Sequence, residues 1–278
     1  MKYCVDYKAG FKYLKEIDEL NITFRRKDTS LPDFIEKYKD KRINIFIDDA
    51  MEFVGHNCIQ IFDALVEKYP ETEIVLVIED YRKPLVDTII NNEVKHKFFF
   101  KQFVDNWDVL NGLAELNPTD IYVVNDLCFS MKDVGNYLHK RGIKVRTFPN
   151  VAQSKWGGKK DTLRTFFIRP EDVILYDEYV DTLEFFGKPN SVETYYKIYN
   201  LDRQWFGKLN EIIIGLDSEI DSRYLLPSFA NYRMNCGKRC GKGRHCNMCD
   251  AFKSAADTLE KAKISSKDII DSLVNDDD

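Results

Sequence analysis

Short apolar runs rich in β-branched and aromatic residues recur along this chain, and helical patterns fill the intervals between them. The runs are NITFR (Asn21–Arg25), RINIFI (Arg42–Ile47), EIVLVI (Glu73–Ile78), KFFFKQF (Lys97–Phe103), DIYVV (Asp120–Val124), KVRTF (Lys144–Phe148), TFFI (Thr165–Ile168) and TLEFF (Thr182–Phe186). YCVDY at the start is a ninth candidate. Runs this continuously apolar suit strands buried on both faces, the condition of a parallel sheet. Strict alternation of strand and helix implies right-handed crossovers, and eight such units imply a closed (β/α)8 barrel of the α/β class. The 278 residues suffice, since such barrels take about 250. An open doubly wound sheet is the alternative, but no G-x-G-x-x-G follows a strand and no Walker motif occurs.

The helical segments carry their own punctuation. LPDFIEKYK follows Asp28, Thr29 and Ser30, all good caps, and has Pro32 early. CIQIFDALVEKYP stops at Pro70, and NWDVLNGLAEL stops before Pro118. SMKDVGNYLHKRG opens on Ser130, has Asp133 three residues on, and reaches Gly142, a residue suited to a helix C′ position. The segment NVAQSKWGGKKD is irregular and reads as a functional loop. Beyond Gly215 the alternation ends. The expected organisation is a barrel over residues 1–225 and an appendage over 226–278, with helices over Ala251–Ala262 and Ser265–Val274.

That appendage carries the string NCGKRCGKGRHCNMCD, in which Cys236, Cys240, Cys246 and Cys249 have the spacing C-x3-C-x5-C-x2-C. Four thiols this close can converge on one metal centre, and Gly237, Gly241 and Gly243 allow the tight backbone such a loop needs. The Cys246–Cys249 knuckle favours zinc. A 4Fe–4S cluster also takes four thiolates, while the C-x3-C-x2-C radical pattern is not matched. Arg233, Lys238, Arg239, Lys242 and Arg244 lie in this stretch with no acid among them, although the net charge of the whole chain is −5. Such a run can offset a thiolate centre or contact the phosphates of RNA or another phosphate-bearing ligand.

In a (β/α)8 barrel the active site lies at the C-terminal ends of the strands. Those ends supply candidate catalytic residues in Asp48, Asp49, Lys101, Asp126 and Glu171. Arg25, Asn150 and Arg169, with Lys238, Arg239 and Lys242 from the cysteine loop, are candidate substrate contacts. Carboxylates, amides and cations in one ring can bind a polar substrate and place an acid opposite a base. No G-x-S-x-G and no H-E-x-x-H occurs, so serine-hydrolase and zinc-protease chemistry lack support. The N-terminus has no apolar signal region, and no membrane-length apolar run is present, so a cytoplasmic protein is expected.

The segments DTLEFFGKPNSVETYYKIYN, DIYVVNDLCFSMKDVGNYLHKRGIKV and FIRPEDVILYDEYVDTLEFFG resemble the collagenase-like peptidase family over about residues 120–200. That resemblance implies a barrel-like fold. Several members of the family bind an iron–sulfur cluster, some modify RNA, some serve ubiquinone synthesis, and a few are credited with proteolysis. The family's cluster cysteines are spread around its late strands, whereas these are compact and C-terminal. The tRNA-guanine transglycosylases also carry zinc cysteines near the end of a barrel, but their C-x-C-x2-C pattern is not reproduced here. The expectation is a metal-containing barrel enzyme acting on RNA or a nucleotide-like substrate. The alternatives are a non-catalytic binding protein with structural zinc and a peptidase-like enzyme.

Overall fold

The computed structural model of the chain describes residues 1–7, 10–24, 30–47, 57–78, 97–104, 107–123, 130–152, 163, 167–216, 219–236 and 248–275. Eight parallel strands close into a barrel in sequence order. They are β1 (Lys2–Asp6), β2 (Glu19–Phe24), β3 (Arg42–Ile47), β4 (Ile74–Ile78), β5 (Phe98–Val104), β6 (Asp120–Val123), β7 (Lys144–Thr147) and β8 (Thr182–Glu184). The described helices are α1 (Leu31–Lys37), α2 (Asn57–Lys68), α3 (Trp107–Glu115), α4 (Met131–His139), α5 (Val173–Tyr176), α6 (Pro189–Tyr196), α7 (Ser228–Asn235) and α8 (Met248–Asn275).

The strand period of two sorts every strand between two cores. In β4, Ile74, Leu76 and Ile78 point outward into the large core under the helices, while Val75 and Val77 point into the barrel. Strands β3, β5 and β6 repeat the pattern, sending Phe46, Phe99 and Tyr122 inward and Ile45, Phe98, Phe100 and Ile121 outward. Both faces are therefore buried, which explains why the strands read as continuous apolar runs.

Three expectations are corrected. The first strand is YCVDY, whose Cys4 pairs with Glu184 of β8 and with Glu19 of β2. The described part of TFFI, Phe167 and Ile168, is buried but forms no strand. Phe167 instead stacks on Phe229 of α7, with ring centroids 6.0 Å apart. An apolar run shows that a segment is buried, and periodicity alone does not say whether it joins a sheet. The two short tail helices are one, α8, because no Gly or Pro interrupts Met248–Asn275.

The helix caps follow the residue chemistry. Ser130 accepts a hydrogen bond from the Asp133 amide at 3.1 Å, and its hydroxyl donates to the Asp133 carboxylate at 2.7 Å. Gly142 takes φ +73° as α4 ends. The C-terminal segment is fastened by Arg169, which grips Asp172 at 2.5 and 2.9 Å and donates to the carbonyls of Ser222 and Leu225 at 3.3 and 3.0 Å. Helix α7 then packs on α4 and α5 and buries Phe229 and Ala230. No helix among the described residues is long and apolar enough to cross a membrane.

Helix α4 comes unusually close to the chain that leads into β8. A Cβ built on Gly135 would lie 2.8 Å from both the Cβ and the carbonyl oxygen of Tyr179. Gly135→Ala should therefore cost about 1–3 kcal/mol through overpacking. Gly112→Ala meets nothing within 4 Å, so it should be neutral or gain up to about 1 kcal/mol from helix propensity. Urea unfolding of the two variants checks this contrast, and equal midpoints would show that the contact is soft.

Candidate active site

Polar residues take inward positions on β1, β2, β3, β6, β7 and β8. Strand period places Glu19 and Asn21, Arg42 and Asn44, Asp120 and Tyr122, and Thr182 and Glu184 in alternate pairs, with Cys4, Lys101 and Arg146 beside them. All except Lys101 are buried, and the Lys101 side chain is 26% exposed. Charges taken out of water need partners, and each has them here.

The lower tier sits at the N-terminal ends of the strands. Arg42 holds the Asp120 carboxylate with both terminal nitrogens and donates to Asn44 Oδ1 through Nε at 3.0 Å. Arg146 donates to Glu19, lies 3.6 Å from Asp120 Oδ1, and donates to Glu184 Oε2 at 3.4 Å. Its guanidinium carbon lies 4.7 Å from the centroid of the Phe99 ring. Asn44 donates to Asn21 at 3.0 Å, and Asn21 donates to Asp6 at 3.1 Å, so the network reaches an exposed carboxylate at the C-terminal mouth.

Environment then separates the carboxylates. Burial pushes Glu19 and Asp120 upward, but Arg146 and Arg42 more than reverse it and hold both below their ordinary values. Glu184 goes the other way. Burial raises it, and Arg146 and Lys101 only partly oppose the shift. Tyr122 donates its phenolic proton to Glu184 Oε2, and its own pKa is pushed well up by burial and by the neighbouring carboxylate. Lys101 Nζ stands 3.9 Å from Glu184 Oε1, over the Phe46 ring at 4.6 Å. A buried carboxyl whose pKa is raised, beside a partly exposed ammonium, is a pair able to donate a proton and meet developing negative charge.

Of the sequence candidates, Lys101 enters this site. Asn150 is buried beside the mouth and hydrogen-bonds both the amide and the carbonyl of Phe186. Arg169 is taken up by its clamp, and Glu171 accepts from Ser222 and lies 3.5 Å from Arg169. Arg25, Asp48, Asp49, Asp126, Lys238, Arg239 and Lys242 lie outside the described residues. So do Cys240 and Cys246. Cys236 follows α7, half-buried, with Sγ 3.9 Å from Tyr232 Oη. Cys249 opens α8 in a buried position, 4.0 Å from Arg233 Nη1. Arg233 is buried, with its guanidinium over Phe229 at 5.9 Å, so it does not extend an exposed basic run. Among the described residues no three His, Cys, Asp or Glu side chains come together as metal ligands.

The pair's main partner escaped the sequence reading. Glu184 was hidden inside TLEFF, Arg42, Asp120 and Arg146 inside or at the start of other runs, and Glu19 two residues ahead of NITFR. The signal was their alternation: Glu19 and Asn21, Arg42 and Asn44, and Thr182 and Glu184 are polar residues spaced by two in otherwise apolar strands.

No protein-family model and no curated protein matches the sequence. Some solved structures match part of the chain. A protein assigned as a glycerophosphodiester phosphodiesterase from Galdieria sulphuraria gives a TM-score of 0.44 at 11% identity, over 66% of this chain and 94% of that one. The U32 peptidase Mk0906 gives 0.41 at 11% identity, over 68% and 93%. A glycerophosphodiester phosphodiesterase from Parabacteroides distasonis gives 0.33 at 12%, over 55% and 57%. Neither reaction nor substrate follows from these likenesses.

The opposed shifts fix the sign of a pH dependence. Glu19 and Asp120 stabilise the fold above their unfolded-state values, and this contribution is lost as pH falls through their lowered folded values. Glu184 binds its proton more tightly when folded, so it costs stability as pH rises from the unfolded value to the raised folded one. The stability of Glu184→Gln relative to the unsubstituted protein should therefore climb with pH across that window and then level off. Urea titrations at stepped pH measure the difference, and a flat or falling difference would show that Glu184 ionises normally.

Proposed function

We propose that this chain is an enzyme that performs acid–base chemistry on a polar substrate at the C-terminal mouth of its barrel. One observation carries the reading: buried Glu184, its pKa raised by burial, stands 3.9 Å from a partly exposed Lys101. Protonated Glu184 delivers a proton to the reacting group. Tyr122, Arg146 and Lys101 are in place to stabilise the carboxylate left behind. Lys101 can also turn to an anionic centre on the substrate, since its side chain is 26% exposed. Such positioned proton transfer typically contributes about 10²–10⁴ in rate.

The substrate class we favour is RNA or a nucleotide-like, phosphate-bearing molecule. Its support is the sequence of the cysteine loop, where Lys238, Arg239 and Lys242 stand without an acid. We assign that loop a zinc ion held by Cys236, Cys240, Cys246 and Cys249. The donor set is four thiols, and Arg233 beside Cys249 supplies the positive charge that favours a thiolate. The metal's part is to order the loop, and no proton step depends on it.

Incubation with ribonucleotides, short RNAs and peptides, followed by mass spectrometry of the products, tests the reaction. Lys101→Met and Glu184→Gln should each lower product formation by about 10²–10⁴ with the fold intact. Product from peptides alone would favour a peptidase. Product undiminished by either substitution, or no product from any of these substrates, would overturn the reading and leave a binding protein. Elemental analysis checks the metal: Cys236→Ser and Cys249→Ser should both lower bound zinc, and Cys58→Ser should not. A coloured, iron-containing protein would replace zinc with a cluster.

A further inference from the structure

We propose that Phe186 is a stacking platform for a planar heteroaromatic ring, a nucleobase, on the substrate of the Lys101–Glu184 site; this rests on the acid–base reading above. Phe186 follows β8 and shares the strand parity of Thr182 and Glu184, which places it over the barrel mouth. It is 52% exposed, an uncommon position for an aromatic ring beside a polar site.

The ring is held there. Buried Asn150 donates to the Phe186 carbonyl at 2.7 Å and accepts from its amide at 3.2 Å. Asn150 is fixed in turn, because its own carbonyl accepts from the Ile214 amide at 2.8 Å. Gly187 follows with φ +141°, a backbone turn that L side chains rarely adopt. Retreat of the ring into the barrel is blocked by Phe148, which meets it edge-on at 6.2 Å and 83°. Phe148 stacks on Tyr122 at 5.4 Å and 18°, and Tyr122 donates to Glu184. An aromatic ladder thus runs from the Glu184 carboxyl through Tyr122 and Phe148 to the half-exposed Phe186.

A rigid exposed ring loses little freedom when a ligand covers it. Stacking on such a face suits any base, because every base has a π-face, and it does not suit a sugar phosphate lacking the base. Asn150 is then a positioning residue, acting through the Phe186 backbone.

Calorimetric binding of adenosine 5′-monophosphate, cytidine 5′-monophosphate and ribose 5-phosphate to the full chain tests this. The two nucleotides should bind at least tenfold more tightly than ribose 5-phosphate. Phe186→Leu keeps apolar bulk without the π-face and should weaken both nucleotides roughly tenfold, leaving ribose 5-phosphate unchanged. Phe186→Trp should restore binding. Equal affinity for nucleotide and sugar phosphate, no effect of Phe186→Leu, or no nucleotide binding would each overturn the platform. If stacking fails while Lys101→Met and Glu184→Gln still abolish turnover, the acid–base reading survives alone. The reverse pattern leaves a nucleobase site without that chemistry.

Discussion

One buried guanidinium ties the barrel interior together. Arg146 projects from β7 and meets Glu19 of β2, Asp120 of β6 and Glu184 of β8, so three walls share one cation. Arg42 adds a second grip on Asp120 and lies 3.7 Å from Glu19. Interior ion pairs repay their desolvation only when geometry and hydrogen bonding are nearly complete. The pairing here depends on register across the whole barrel, because Arg146 of β7 reaches Glu19 of β2 and Arg42 of β3 reaches Asp120 of β6, strands that are not neighbours. The charges do not by themselves make the barrel stable. They make an alternative register costly, since a one-residue slip would turn Arg146 out of the barrel and leave its carboxylates unpaired.

The same network explains why one carboxyl differs from the rest. Glu19 and Asp120 lie deep and receive most of the guanidinium charge. Glu184 shares Arg146 at longer range and borders the aromatic side of the interior, where Tyr122, Phe148 and Phe99 supply low polarity. Two tiers result: a lower one whose carboxylates are held below their ordinary values, and an upper carboxyl raised above its own.

Much of the architecture was legible in the sequence because burial on both strand faces writes itself as apolar runs. RINIFI, EIVLVI and DIYVV each announced a strand, and Ser130, Asp133 and Gly142 announced both ends of a helix. TFFI misled because Phe167 packs on Phe229 of α7, a demand that only the tertiary fold reveals. Lys101 stood out as a charge inside an apolar run, and it does face Glu184. Glu184 did not, because a strand-end search looks one or two residues too late. The inward tier lies within the strands, and Arg169 and Glu171, which follow the TFFI run, are drawn into a clamp that holds the later chain.

The register between β1 and β8 carries a further consequence. Cys4 lies opposite Glu184 across the seam, so the cylinder cannot shut during synthesis until about two thirds of the chain has left the ribosome. Until then Glu19 and Arg42 are present without Arg146 and Glu184, and water must solvate them in a half-built sheet with open edges. Late closure of this kind makes folding slow and leaves nascent edges open to wrong partners. Polar inward side chains make those exposed half-barrels less adhesive than an all-apolar interior would be. The charges that later pin the register thus also keep the unfinished chain soluble while it waits for its last strand.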